Sequence, residues 1–303
     1  MIKINDQIIE VVQDGVNWQG SKDTVARVLS FSVIYQPLDE TFPRYNIKIG
    51  DKVEYIEKNK TYFYGYIEKI SYTTDNGTIE ISCCDMMKRL LNSKCVGRFR
   101  GTLKQLADKI CGLFYLKNGI ESNSTHVHNI VSTGDMSYYE ILKNACDVMF
   151  ARYALYLDGL TLKLAEHNSF ATFTIGQNIR SSSFSQDMSD IVNKVLIIDT
   201  TGKLLSSVQD TDSINQFGLF QTVYTYDKDS KNNLVDAQHE LKTIKNEGSI
   251  VVNNDNNCIS GRFITVYEPL NNFNGLFEIV SDNHTIANDS VMTLDIELVE
   301  VAK

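Results

Sequence analysis

The order of apolar and polar residues divides the chain into stretches of different period. From residue 1 to about 90 the period is two. Phe31–Gln36, Asn46–Glu57, Tyr62–Tyr72 and Thr78–Asp85 alternate, or are rich in β-branched and aromatic residues, and predict strands. Asn76-Gly77, between the last two, is a dipeptide that readily supplies the two positive φ angles of a tight hairpin. Beyond residue 100 the period changes to near 3.6. Leu103, Leu106, Ala107, Ile110 and Phe114 fall on one helical face, and Thr102 with Gln105 forms a capping-box pattern that starts the helix. Ser137 and Glu140 repeat the pattern ahead of a second helix through Ile141, Leu142, Ala145, Val148 and Met149. A strand around His126–Val131 lies between them. YALYL and LTLKLAE follow, joined as a hairpin through Asp158-Gly159.

Gly176–Asp190 is polar throughout and reads as a linker or domain-crossing loop. After it come a hairpin around Thr201-Gly202, a strand in Gly218–Asp227, a helix over Leu234–Asn246, and strands in Gly261–Glu268, Gly275–Asp282 and Val291–Val301. The predicted class is α+β, mostly β, with two β-barrel-like domains at the ends and a small α/β domain between them. The boundaries are 1–90, 91–175 and 176–303, the last carrying one helix.

The two ends resemble each other. IKIGDKVEYIE leads to FYGYIEKISYTTDNGTIEISCCD near the start, and CISGRFITVYE leads to FNGLFEIVSDNHTIANDSVMTLDIELVE near the end. This alignment matches Gly50 with Gly261, Gly65 with Gly275, and Asn76-Gly77 with Asn288-Asp289-Ser290. It predicts one three-stranded meander used twice; the competing reading is that any two antiparallel meanders share alternation and turn residues.

Composition narrows the function classes. With 303 residues, 43% hydrophobic and 22% charged, the chain supports several packed cores and indicates neither disorder nor a fibrous repeat. A net charge of −9 argues against wrapping nucleic acid by phosphate neutralisation. That charge suits a lumen through which a polyanion passes, or plain solubility. No apolar run is long enough for a membrane-spanning helix, and MIKINDQIIEVVQDG lacks the pattern of a secretory signal. Cys83, Cys84, Cys95, Cys111, Cys146 and Cys258 have no framework-like spacing and are expected to be reduced and buried.

Candidate chemistry is sparse. Neither a G-x-x-x-x-G-K-[ST] loop nor a G-x-G-x-x-G turn occurs. Cys111, His126, His128 and Cys146 are conceivable zinc ligands, but their spacing lacks a C-x-x-C knuckle, which favours buried thiols and exposed imidazoles. Asp187 and Asp190 are a conceivable glycosidase pair among 38 acids, where chance pairs are guaranteed. Trp18, the sole tryptophan, suits a subunit contact or a cap on the first barrel. No catalytic, cofactor-binding or metal-binding residue is assigned, and no cofactor is expected.

VNWQGSKDTVARVLSFSV, IGDKVEYIEKNKTYFYGYIEKIS, ISCCDMMKRLLNSKCV and DSINQFGLFQTVYTYDKDSKNNLVDAQHELK together resemble, in order and spacing, the baseplate hub family of contractile phage tails, defective prophages and R-type bacteriocins. The resemblance implies a homotrimeric structural ring, not an enzyme, joining a hexameric tail tube or tube initiator to a central spike and the tape measure protein, in contact with other baseplate proteins. It implies no specific nucleic-acid binding, although DNA could pass through the lumen, and no membrane anchor. Assembly in the bacterial cytoplasm and residence in the tail baseplate follow. Some related hubs carry lytic domains; this chain ends at Lys303 directly after a β segment, so none is expected. The rival expectations are a tail-associated peptidoglycan hydrolase and a carbohydrate-binding receptor module.

Overall fold

In a computed structural model the described residues are 1–11, 16–36, 38–41, 44–73, 77–150, 152–166, 169–227, 233–269, 273–287 and 289–301. Among the described residues strands account for 54% and helices for 15%, which places the protein in the α+β class, mostly β. The strands and helices run β1 (Ile2–Ile4), β2 (Gln7–Ile9), β3 (Val16–Ser21), β4 (Val28–Ile34), β5 (Lys52–Glu57), β6 (Lys60–Thr73), β7 (Thr78–Asp85), α1 (Met87–Asn92), β8 (Lys94–Gly101), α2 (Leu103–Leu113), β9 (Lys117–Asn118), β10 (His128–Ser137), α3 (Tyr138–Asp147), β11 (Tyr153–Asp158), β12 (Thr161–Glu166), β13 (Ser169–Thr174) and β14 (Ile179–Asp187). They continue with β15 (Lys194–Ile198), β16 (Leu204–Gln209), α4 (Thr211–Phe217), β17 (Gln221–Thr225), α5 (Asn233–His239), β18 (Lys245–Asn253), β19 (Phe263–Glu268), β20 (Phe273–Ile286) and β21 (Val291–Val301). Two compact units result, one of Met1–Ser183 with Ser249–Lys303, the other of Phe184–Gly248.

The first unit is organised by a 13-stranded sheet. Its path is β14-β18-β21-β20-β3-β4-β7-β6-β5-β1-β2, with β19 on β20 and β13 on β19. Two five-strand sets of the same order lie within it, β3-β4-β7-β6-β5 and β14-β18-β21-β20-β19. The backbone shows that they are one design used twice. Gly50 (φ +85°) donates to the Ile67 carbonyl at 2.8 Å and Ile67 donates back to Asp51 at 3.0 Å; Gly261 (φ +84°) donates to Ile279 at 2.7 Å and Ile279 donates back to Arg262 at 2.9 Å. Immediately afterwards both long strands bulge against their neighbours, between Ile67 and Lys69 in β6 and between Ile279 and Ser281 in β20. Tyr35 donates to the Gly77 carbonyl at 2.8 Å as Asn254 does to Ser290 at 3.1 Å.

The register corrects one pair of the sequence alignment. Gly65 faces Val53, and the residue in the equivalent place facing Ile264 is Phe277, not Gly275. Glycine is needed at 65 for a local reason: a Cβ there would stand 2.2 Å from the Cys84 carbonyl oxygen and 2.7 Å from the Phe63 ring. Asn76 and Asn288, expected in the tight turns, lie outside the described residues.

The two capping boxes form as the spacing predicts: Thr102 with Gln105 opens α2 and Ser137 with Glu140 opens α3. These helices, α1 and the sheets β8–β10 and β11-β12-β9 enclose a core of Leu90, Leu106, Ile110, Ile141, Leu142 and Leu162. A separate core fills the first repeat, where Leu29, Phe31, Val53, Tyr55, Phe63 and Ile81 are buried together with Ile259 from the second. Among the described residues no helix is long and apolar enough to cross a membrane.

The second unit holds a three-stranded sheet, β16-β15-β17, with α4 and α5. Its core is small, built on Val195, Ile197 and Ala237, and pinned by buried Asn193, whose amide donates to the Gly218 carbonyl at 2.7 Å and accepts from the Phe220 N–H at 2.8 Å. Leu204, Leu219, Val223 and Leu234 of this unit remain exposed.

Several sequence expectations shift. The stretch expected to link domains contains β14, whose serines, polar on both faces, conceal the strand pattern. The helix expected over Leu234–Asn246 ends at His239, and the chain re-enters β structure at Lys245, where Ile250 and Val252 turn into the core. The strand expected from Asn46 starts at Lys52, because the left-handed backbone at Gly50 interrupts it.

Candidate functional site: the joint between the repeats

Where the repeats meet, β3 of the first lies antiparallel on β20 of the second, from Ser21 opposite Ser281 to Val16 opposite Ile286. It occupies the edge of β20 just beyond the point where β19 stops, since β19 pairs only as far as Glu278. The joint thus continues a ladder inside one chain, and its polar core consists of residues far apart in sequence.

Arg27 and Asp282 face each other as a buried fork-to-fork pair. Nη1 of Arg27 donates to Oδ1 at 2.9 Å, and Nη2 donates to Oδ2. The carboxylate also accepts the Ser260 N–H at 2.6 Å. Burial by itself would raise the Asp282 pKa, but the Arg27 charge and hydrogen bonds, with His284 adding to them, bring it down to about 2. Arg27 stacks 4.2 Å from the centre of the Trp18 ring, which on its other contacts lies 4.9 Å from His284 and 6.3 Å from Tyr55. His284 is fully enclosed: Nδ1 meets Oδ1 of Asn254 at 2.6 Å, and Nε2 meets the Cys258 carbonyl at 3.1 Å and Asp282 Oδ2 at 3.1 Å. Asn256 Nδ2 donates to Glu57 Oε2 at 2.5 Å, tying the loop before β19 to the first repeat.

On the side of Arg27 towards the helices sits Asp85, which accepts the Met87 N–H at 3.0 Å where α1 begins. Full burial pushes its pKa up to about 7, against the lowering effect of Arg27. Arg27, Asp85, Tyr139, Arg152, Tyr153 and Glu278 line a cleft of about 470 Å³. Two of its carboxylates already serve Arg27 and a helix start, or Lys22 in the case of Glu278.

The residues singled out from the sequence are not gathered here, apart from Trp18. Trp18 is 2% exposed and belongs to the first repeat's core as well as to the joint, so its indole is an internal rivet rather than a surface anchor. Cys111 and Cys146 are buried in the helical core. His126 and His128 touch edge to face at 4.6 Å, but His128 is buried rather than exposed, and burial followed by the neighbouring His126 lowers its pKa. Among the described residues no group of three or more His, Cys, Asp or Glu side chains is placed to hold a metal. Asp187 accepts the Ser189 N–H at 2.8 Å and serves a local turn. All six cysteines are buried and free. Sequence reasoning missed Arg27, Asp282 and His284; the only local signal was that charged residues interrupt apolar alternation in β20.

Comparison with known proteins places this architecture. The fold matches the 43 kDa tail protein of prophage MuSo2 from Shewanella oneidensis, with a TM-score of 0.75 at 15% identity over 97% of this chain and 95% of that one. It matches the tail protein from Neisseria meningitidis MC58, with a TM-score of 0.70 at 10% identity over 99% and 96%. The E. coli c3393 protein, described as a type VI secretion component with structural similarity to the T4 tail proteins gp27 and gp5, matches with a TM-score of 0.57 at 11% identity over 99% and 77%. At these identities the likeness is one of fold, and it agrees with the resemblance read from the motifs. No curated sequence matches the chain. The YQBQ-like family profile matches residues 16–298, more than nine-tenths of the molecule, and the chain belongs to the YQBQ-like family.

Proposed function

We propose that this protein is a non-enzymatic subunit of a phage-tail-like baseplate, forming a homotrimeric hub ring that joins a hexameric tail tube to a central spike and the tape measure protein. The parent particle would be a contractile phage tail or an R-type bacteriocin. The observation that carries the reading is the duplicated five-strand set: two equivalent repeats per chain, tripled by rotation, present six similar surfaces, so a threefold ring can seat a sixfold tube. Similarity of fold over nearly the whole length to prophage tail proteins supports it. In this reading residues 1–90 and 176–303 are the ring-forming domains and 91–175 an insert between them. The exposed apolar side chains of the small unit suit contacts with other baseplate proteins. Assembly in the bacterial cytoplasm and residence in the baseplate complete it.

Light scattering on the purified full chain, followed by electron microscopy of the particles, tests the reading. A mass of three chains and rings with a central opening are expected. Clearing of a peptidoglycan suspension by the intact chain, abolished by one acid-to-amide substitution, would replace the structural reading with a hydrolase.

A further inference from the structure

The repeat leaves two strand edges in different states, and the difference identifies a partner. β20 is covered on one edge by β21 and on the other by β19 and then β3. Its equivalent, β6, is covered by β7 on one edge and by β5 on the other, but only as far as Ile67, where β5 ends. Among the described residues no strand follows on that edge from Lys69 to Tyr72. β3 is flanked by β4 and β20, whereas among the described residues its equivalent, β14, pairs with no strand but β18, apart from a single bridge between Ile179 and Ile175 at its start. The chain therefore contains one complete joint and the two halves of another, which lie at different places in the strand order of the same sheet.

We propose that the outer edge of β14 of one copy forms an antiparallel ladder with the C-terminal half of β6 of a second copy, reproducing between copies the β3–β20 joint made inside each chain. This rests on the ring reading and supplies its contact. Exposed edges are rows of unsatisfied N–H and C=O groups, and proteins that keep them single place proline, charge or a bulge there. β14 reads IRSSSFSQD, without proline. Its one cation, Arg180, is held by Asn253 and Asp289, with 2.8 Å to Asn253 Oδ1 and 2.7 Å to Asp289 Oδ1, leaving the serines to face outward. Tyr72, on the free half of β6 itself, is exposed, and its ring lies 5.8 Å from that of exposed Tyr35, edge to face. Apolar surface beside an open edge is the composition of an interface centre. The occupant is a second copy because the β3–β20 pair shows that strands of these two equivalent types fit each other. The contact is head to tail, joining unlike patches, so it propagates and closes into a ring when the rotation allows.

Hydrogen exchange of the full chain, combined with light scattering, tests the ladder without altering the sequence. In the assembled form the amides of residues 69–72 and 180–183 are expected to exchange at least about tenfold more slowly than in the dissociated chain, as cooperative strand pairing requires. Two adjacent substitutions, Ser181→Pro and Ser182→Pro, accompany it. One of the two removes an outward N–H, so one is expected to leave circular dichroism unchanged and abolish assembly. An assembled ring whose β6 and β14 amides exchange as in the single chain overturns the ladder and leaves the ring reading standing. Protection of β14 without protection of β6 overturns the self-pairing. A chain that stays single at every concentration overturns both.

Discussion

β20 and β6 are the same strand of the same design, yet one is a buried girder and the other half-open. Both follow a left-handed glycine turn, both bulge just after the isoleucine that closes it, and both pair along one edge with the strand that follows. What differs is the second edge. Under β3, the positions of β20 that follow the bulge hold Asp282 and His284, both buried; in β6 the corresponding positions hold Ile70 and Tyr72, the latter 66% exposed. Backbone geometry is thus set by the repeat, while side chains report whether an edge is covered. A buried charge is tolerated only where a partner meets it, and Asp282 exists because Arg27 reaches it across 255 positions of sequence.

The comparison can be broken most forcefully at that pair. Asp282→Ala leaves the Arg27 guanidinium buried without its carboxylate and is expected to destabilise the chain by about 3–5 kcal/mol in urea unfolding. The double change Arg27→Met with Asp282→Leu, which removes both charges, is expected to recover most of that loss; failure to recover would mean that the pair holds the joint by geometry rather than by mutual neutralisation. Trp18→Ala empties the space beneath the same joint and is expected to cost about 3–5 kcal/mol.

Two acids flank Arg27 with opposite pH behaviour. Asp282 has a folded pKa of about 2, below its unfolded value, so it contributes stability above pH ~4 that is lost as pH falls through about 2. Asp85 has a folded pKa of about 7, above its unfolded value. Its stabilisation is present below pH ~4 and is lost as pH rises through about 7. Asp85→Asn, which keeps an oxygen acceptor for the Met87 N–H, is expected to flatten the fall in stability between these two values, measured as midpoints of thermal unfolding across pH. An unchanged profile would mean that the Asp85 carboxyl is better hydrated than its burial indicates.

The paired glycines give a smaller effect. At Gly50 nothing stands within 4 Å of an added Cβ, so Gly50→Ala carries only the left-handed backbone strain, about 1–2 kcal/mol. Gly261→Ala meets the Ala154 Cβ at 2.7 Å as well and is expected to cost more than its twin. Equal losses would show that the insert yields at Ala154. Least of all, Tyr72→Ala should change the stability of the single chain by under about 0.5 kcal/mol, as exposed substitutions do.

Much of the local plan was legible before the fold was known. The capping boxes at Thr102 and Ser137 announce α2 and α3 because a hydroxyl and the Gln105 or Glu140 side chain satisfy free N–H groups there, and the hairpin expected at Asp158-Gly159 forms with Gly159-Leu160 as its loop, the positive φ falling on Gly159. The duplication was readable from glycine spacing, although the Gly65 match was not, since the close approach of Cys84 to Gly65 is a contact between strands. β14 and β18 were harder. Polar serines on both faces remove the alternation that reveals a strand, and β14 is a strand because β18 pairs with it.

The sequence by itself determined the class, the period of each stretch, the helix starts and the twofold internal repeat, because these depend on sterics and hydrogen bonds between residues a few positions apart. Only the tertiary structure decided which edge of each long strand is covered, and hence that Arg27, Asp282, His284 and Trp18 share one buried site. A charge can be placed in a core only after long-range packing has brought its partner there, and no local pattern encodes that meeting.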